Sequence, residues 1–145
     1  PVASHWGVTG GNLPGLVGPG FFELDFAVIQ TYTFIGDRSP VAMRVVQAHR
    51  RLFGSRSERE IASPVGVAHS YDLTQLLARA VDRAGSTSRT AVRDALENLG
   101  PYQGLLRRYP KPFTAQRHEA LDEKTVMMCR YERDGALVPI LPARR

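Results

Sequence analysis

The chain has 145 residues, of which 43% are hydrophobic and 23% charged, and its formal net charge is +5. This length suits one domain or a piece of a larger protein, and the composition is not that of a disordered tail. The longest uncharged stretch, residues 3–22, is broken by six glycines and is therefore not a transmembrane helix. The single cysteine excludes an internal disulfide framework and any CxxC zinc or redox motif.

The basic residues are spread along the chain. All but two are arginines, the basic pairs at 50–51, 107–108 and 144–145 are far apart, and acids alternate with arginines across 56–60. A nucleic-acid-binding arm usually concentrates its charge. We therefore expect a solvated mixed-charge surface and no nucleic-acid partner, with salt-dependent DNA binding as a competing hypothesis.

The first half of the chain predicts two strands and a helix. Residues 1–6 suit a short strand that runs into a glycine-rich loop, and residues 26–34 are β-branched and aromatic, typical of a strand buried on both faces of a parallel sheet. Ser39 and Pro40 suit the start of a helix that Gly54 ends. Its predicted buried face contains Val41, Val45, Ala48 and Leu52.

The second half predicts two helices and a hairpin. The helices span about 69–84 and 89–99, and the strands 125–132 and 136–141 flank a turn at 133–135. Because the order β-β-α-α-α-β-β has too few strands to cover three helices, sheet partners are expected to be absent from this chain. The buried stripe of the first of these helices is predicted to comprise Leu73, Leu76, Leu77, Ala80, Val81 and Ala84.

An ordered set of segments resembles a known family. YDLTQLLARA at 71–80, AGST at 84–87 and AVRDAL at 91–96 resemble the C-terminal helix pair of type I periplasmic solute-binding proteins of the branched-chain amino acid ABC transporter family. In the same order, residues 1–13 resemble the family's strand and ligand loop. Residues 26–34 resemble its crossing strand, and 126–140 its closing hairpin.

The resemblance implies an α/β fold, the C-terminal part of a two-lobe, type I periplasmic-binding-protein-like architecture. Residues 1–30 would belong to the second lobe, residues 31–104 to the first, and residues 105–145 would return to the second lobe with a closing β-hairpin. The N-terminal part of the same protein, which would complete the first lobe, is expected to be missing.

The implied function is the substrate-binding component of an ABC importer in the periplasm. It would capture a small organic acid or amino-acid-like ligand between its lobes and dock on a membrane permease, with no catalysis and no cofactor. The alternative is a ligand-sensing domain of the same fold in a receptor or regulator. GxSxG, P-loop and HExxH motifs are absent from the sequence, and its four histidines lack metal-ligand spacing.

The segment 4–11, SHWGVTGG, is the strongest candidate for ligand contact. Polar and aromatic side chains followed by glycines at a strand's carboxyl end are typical of ligand sites in α/β sheets, where backbone N–H groups can approach an anion. The expected ligand-binding residues here are His5, Trp6, Gly7 and Thr9.

The residue at position 6 bears on the ligand class. Amino-acid-binding relatives carry an acidic residue near the position of Trp6, where it holds the ligand ammonium. Its absence here favours a carboxylate ligand with an apolar or aromatic body, with His5 donating to the anion and Trp6 stacking. The competing interpretation makes Trp6 a core residue and His5 a satisfied surface histidine.

Tyr32 is the remaining candidate, because it lies at the implied crossing between lobes and could line the cleft beside Phe34. Core packing of the strand is the competing interpretation for both. Asp72, near the start of a predicted helix, is expected to be structural, and Cys129 is expected to be a buried, inert thiol.

Overall fold

The computed structural model describes residues 1–140, and no helix within them is both long and apolar enough to cross a membrane. Short 3-10 turns lie at Trp6–Gly10, Pro19–Glu23, Glu58–Glu60 and Glu123–Thr125. The remaining elements are β1 (Val2–His5), α1 (Leu13–Val17), β2 (Phe26–Gln30), α2 (Pro40–Phe53), α3 (Pro64–Ala84), α4 (Arg89–Glu97), β3 (Tyr102–Gln103), β4 (Arg108–Tyr109), β5 (Met127–Tyr131) and β6 (Leu137–Pro139).

The main sheet has the strand order β1-β2-β5-β6. β1 runs parallel to β2, with Ser4 opposite Val28, whereas β5 runs antiparallel to β2, with Cys129 opposite the same valine. The first two strands are thus direct partners, although only the short α1 and two 3-10 turns connect them. The segment between them is still long enough for a crossover, which needs about a dozen residues.

The second strand is shorter than predicted. It ends at Gln30, and residues 31–34 are buried without strand pairing. The Thr33 hydroxyl donates to the Leu137 carbonyl at 3.0 Å and accepts from the Ile35 N–H at 3.2 Å, so side-chain bonds replace the ladder here. The prediction of burial on both faces was also wrong, because only Val28 and Gln30, on one face, are fully buried.

The ends of α2 confirm the sequence prediction. The Ser39 hydroxyl accepts from the Ala42 N–H at 3.2 Å. Gly54 follows the helix with φ of 71°, a left-handed conformation that favours glycine, and its N–H donates to the Arg50 carbonyl. The predicted C-terminal strand pair is also confirmed, because Glu132 and Ala136 join β5 to β6 around the 133–135 turn. The predicted last strand residue, Leu141, lies outside the described residues.

The buried faces of α2 and α3 are narrower than predicted. Leu52, Leu73 and Leu77 were expected to be buried, but they are 75%, 55% and 50% exposed. α3 also begins at Pro64, five residues before the predicted start. Its buried residues repeat every four positions at Ala68, Asp72, Leu76 and Ala80, and Pro64 and Val65 are buried in its first turn.

The chain forms two compact units. One comprises Pro1–Gly66 with the segment from Thr125 onward, and the other comprises Val67–Lys124. The boundaries of these units, after Gly66 and Lys124, differ from the predicted lobe boundaries after residues 30 and 104. The assignment of segments to lobes stays a prediction. The first unit packs around Val28, Cys129 and Leu137, and the second around Leu76, Leu99, Tyr102 and Tyr109.

Candidate functional site

The candidate segment forms a 3-10 turn directly after β1. Trp6–Gly10 makes this turn, and β1 ends at His5. Because β1 and β2 are parallel neighbours, the turn and the residues that follow Gln30 lie at the same carboxyl edge of the sheet. Ligands of open α/β sheets bind at this edge.

The His5 ring caps the turn that follows it. Its Nδ1 accepts from the Gly7 N–H at 3.0 Å, so the neutral ring carries its proton on Nε2. A Cβ on Gly7 would lie 2.5 Å from the His5 Cε1, and glycine is therefore required for the ring to fold back. This tautomer leaves Nε2–H as the donor, and the contact of His5 with an anion stays a prediction.

Trp6 is 41% exposed, which contradicts the interpretation of this residue as part of the core. Its ring meets the His5 ring edge-on, with centroids 5.8 Å apart and an interplanar angle of 76°. The two rings thus form a joint surface at the edge of the sheet. An exposed indole face can stack on a planar ligand or hold a cation.

Thr9 has a structural task in the turn. Its side chain is buried, and its hydroxyl donates to the Trp6 carbonyl at 2.7 Å. It also lines a cavity of about 330 Å³ together with Asn12 and Ser63. Because the hydroxyl proton is used within the turn, Thr9 could contact a ligand only as an acceptor, through its oxygen lone pairs.

Tyr32 is packed rather than exposed. Only 6% of the residue is accessible, its ring meets Phe34 edge-on at 4.9 Å, and its hydroxyl donates to the Asp37 Oδ2 at 2.7 Å. The other oxygen of Asp37 accepts from the Ser39 N–H at 2.8 Å, so the tyrosine is tied to the start of α2. The structure therefore gathers the four other candidates into one turn and places Tyr32 beneath the surface.

Gln30, the last residue of β2, is not among the predicted site residues. Its side chain is completely buried, and neither its Oε1 nor its Nε2 has a hydrogen-bond partner within the described part of the chain. Buried amides without partners are rare in proteins. Its only signal in the sequence was a glutamine at the end of an apolar run.

Three further kinds of side chain could carry a site: metal ligands, the cysteine thiol and the partly buried His69. Residues 1–140 contain no cluster of three His, Cys, Asp or Glu that could hold a metal ion. Burial raises the pKa of Cys129 to about 11, so its thiol is neutral near pH 7, and the predicted buried thiol is confirmed. Burial lowers the pKa of His69, because it disfavours the charged imidazolium, and the nearby Asp72 carboxylate acts in the opposite direction.

Comparison with solved structures identifies the architecture. The chain superposes on a type 1 periplasmic binding protein from Bordetella pertussis with a TM-score of 0.73 and 23% identity, over 97% of this chain and 39% of that protein. For a leucine-binding protein from Thermotoga maritima the TM-score is 0.67, with 17% identity over 96% of this chain and 36% of that one. An extracellular ligand-binding receptor from Rhodopseudomonas palustris gives 0.56, with 20% identity over 80% and 33%.

Sequence comparison adds no further relative, since no protein-family model matches the chain and no curated protein matches it significantly. The chain spans well under half the length of the structures that it matches. The resemblance stated from the sequence is thus confirmed at the level of fold. The chain has the mixed α/β fold of a part of a type 1 periplasmic binding protein.

Proposed function

We propose that this chain is part of the substrate-binding component of an ABC importer. The observation that carries the proposal is the structural likeness to a type 1 periplasmic binding protein over 97% of the chain. The exposed His5–Trp6 surface at the carboxyl edge of the sheet supports it, because ligands of α/β folds bind at this edge. The protein would act in the periplasm.

The proposed ligand is a small organic acid or amino-acid-like molecule. His5 would donate from Nε2 to its carboxylate, and Trp6 would stack on its apolar or aromatic body. Gly7 keeps the histidine ring in place, and Thr9 braces the turn. A missing N-terminal part of the same protein would supply the opposing half of the cleft, and Tyr32 would reach the ligand only if the cleft rearranges on binding.

Capture would proceed by closure of two lobes, without chemical conversion of the ligand. A ligand that contacts both lobes in the closed form shifts the population toward that form. The closed form would then dock on the permease in the membrane.

Isothermal titration calorimetry of the complete protein tests the ligand contact, with benzoate and L-leucine as probes. We expect benzoate to bind more tightly, and His5→Gln and Trp6→Ala each to weaken benzoate about tenfold or more, because each removes a charge-assisted hydrogen bond or a stacking face. Arg51→Gln, an exposed change on α2, is the matched control. Unchanged benzoate affinity in both site variants would refute the proposed contacts.

Transport distinguishes import from sensing. Vesicles that carry the permease should accumulate radiolabelled ligand only when the complete protein is added, and the Trp6→Ala variant should lower the rate. Ligand binding without any permease-dependent uptake would instead favour the sensing alternative.

A further inference from the structure

We propose a second small-molecule site at the opposite edge of the sheet, suited to a free α-amino acid with an aromatic side chain. The site is a groove of about 610 Å³, within the size range of small-molecule pockets. Asp25 and Phe26 lie at the amino end of β2, and Tyr131 ends the antiparallel β5 beside them, whereas the His5–Trp6 turn follows the carboxyl end of β1. Tyr131 links the two regions, because its hydroxyl donates to the Val8 carbonyl of the turn at 3.5 Å. All of its lining residues belong to the same compact unit.

One wall of the groove is aromatic and built around Phe21. This residue is 3% exposed, and its ring lies 5.2 Å from Phe26, 5.4 Å from Phe22 and 5.5 Å from Tyr131, between centroids. The contacts with Phe22 and Tyr131 are edge-on, a favoured geometry for aromatic pairs, and the contact with Phe26 is tilted. Phe21 thus packs behind Phe22, Phe26 and Tyr131, and these three partly exposed rings offer an apolar surface for a planar ring.

Two of the four charged side chains in the groove are already paired. Glu132 accepts a hydrogen bond from Arg59 at 3.3 Å and forms an ion pair with Arg130 at 3.6 Å, so two guanidinium groups share one carboxylate. Arg59 also pairs with Asp134 at the tip of the hairpin. This network holds one side of the groove and leaves little of the Glu132 charge for a ligand.

The other two charged side chains, Asp25 and Arg133, have no ion-pair partner among residues 1–140. Within residues 1–140 the Asp25 carboxylate makes no ion pair or hydrogen bond, and the Arg133 guanidinium lies over the Phe22 ring, 5.4 Å from its centroid, without a carboxylate partner. The groove thus presents one available negative charge, one available positive charge and an apolar wall. An α-amino acid carries the complementary set: an ammonium for Asp25, a carboxylate for Arg133 and a side chain for the aromatic wall.

The test uses the full chain and three probes that differ in charge. L-phenylalanine carries both charges, phenethylamine lacks the carboxylate and 3-phenylpropionate lacks the ammonium. Calorimetry or NMR titration should give the tightest binding for L-phenylalanine. Asp25→Asn should lower the affinity for L-phenylalanine and phenethylamine about tenfold and leave that for 3-phenylpropionate unchanged. Arg133→Gln should lower the affinity for L-phenylalanine and 3-phenylpropionate and leave that for phenethylamine unchanged.

Controls separate this groove from the proposed cleft. Asp82→Asn and Arg51→Gln remove exposed charges outside the groove and should leave all three affinities unchanged. Trp6→Ala should also leave L-phenylalanine binding at the groove intact. The inference is overturned if L-phenylalanine does not bind, or if its binding is lost in Trp6→Ala and kept in both groove variants; the latter result would support the cleft and refute the groove.

Discussion

The carboxylate of Asp72, on α3, is 2% exposed, and its two oxygens accept three hydrogen bonds. The donors are the Leu105 N–H at 2.6 Å, the Leu106 N–H at 3.0 Å and the Tyr109 hydroxyl at 2.8 Å. These bonds fasten the turn between β3 and β4 to the helix. The prediction of a structural role for Asp72 is confirmed, although the helix-terminus argument behind it was wrong, because α3 starts eight residues earlier.

Asp72→Asn should lower the free energy of unfolding by about 3 kcal/mol, since the amide NH₂ would face N–H donors and leave a buried group unsatisfied. Urea denaturation followed by circular dichroism measures the change. Asp82→Asn, an exposed aspartate on the same helix, should change stability by less than about 0.5 kcal/mol. Equal effects of the two substitutions would contradict this role.

Gln30→Met should raise the free energy of unfolding by about 1 kcal/mol or more. Methionine fills a similar volume and removes the two polar atoms that lack partners. The same denaturation assay applies, with the more exposed Gln103→Met as the control. A loss of stability in Gln30→Met would mean that the amide has a partner beyond the described residues.

At the scale of elements, two serines at equivalent helix positions offer a matched pair. Ser39 caps α2 through its side chain, whereas Ser88 precedes α4 without any side-chain cap bond. Ser39→Ala should therefore cost about 1 kcal/mol of stability, and Ser88→Ala less than about 0.5 kcal/mol. Thermal denaturation of the two variants measures this difference, and a larger loss in Ser88→Ala would be the contrary result.

The sequence predicted where helices and turns begin and end better than it predicted which face of a helix is buried. Ser39 and Gly54 mark α2 through local chemistry that acts within one turn, and Gly135 marks the hairpin in the same way. Leu73 and Leu77 had the right spacing for burial but are exposed, because the position of the stripe depends on what packs against the helix. The residues after Gln30 left the ladder for a similar reason: the Thr33 hydroxyl bonds a carbonyl 104 residues away.

At the scale of the whole molecule, alkaline pH should destabilise the fold. Burial and the nearby Asp72 raise the pKa of Tyr102 to about 12. Burial and the hydrogen bond to Asp72 also raise the pKa of Tyr109, and burial raises that of Tyr131. In the unfolded chain a tyrosine ionises near pH 10. Stability is therefore fully present below about pH 10 and falls as the pH rises from there toward 12, because the unfolded chain alone releases these protons.

Urea denaturation at about pH 9 and about pH 11 tests this slope, which should reach about 1.4 kcal/mol per pH unit for each tyrosine that stays neutral only when folded. Tyr102→Phe should make the slope shallower without abolishing it. A slope that is the same in this variant and in the unchanged chain would show that Tyr102 does not contribute.

The candidate site was predictable in its local part only. The glycines after β1 signalled a tight turn, and the structure gathers His5, Trp6, Gly7 and Thr9 there. The burial of Tyr32 depends on a bond to Asp37 and on Phe34, and the isolation of the Gln30 amide depends on a whole layer of packing. Neither property can be read from a segment of a few residues, so the sequence alone could not predict that Tyr32 is buried or that the Gln30 amide lacks a partner.

The chain order of the two compact units bears on folding. Val67–Lys124 is continuous in sequence, whereas the other unit combines strands that precede and follow this segment. β2 must wait for β5, about a hundred residues later, and closing so long a loop slows folding. During synthesis one edge of β2 has no partner and can pair with other chains, so we expect chaperone dependence and aggregation to begin at this strand.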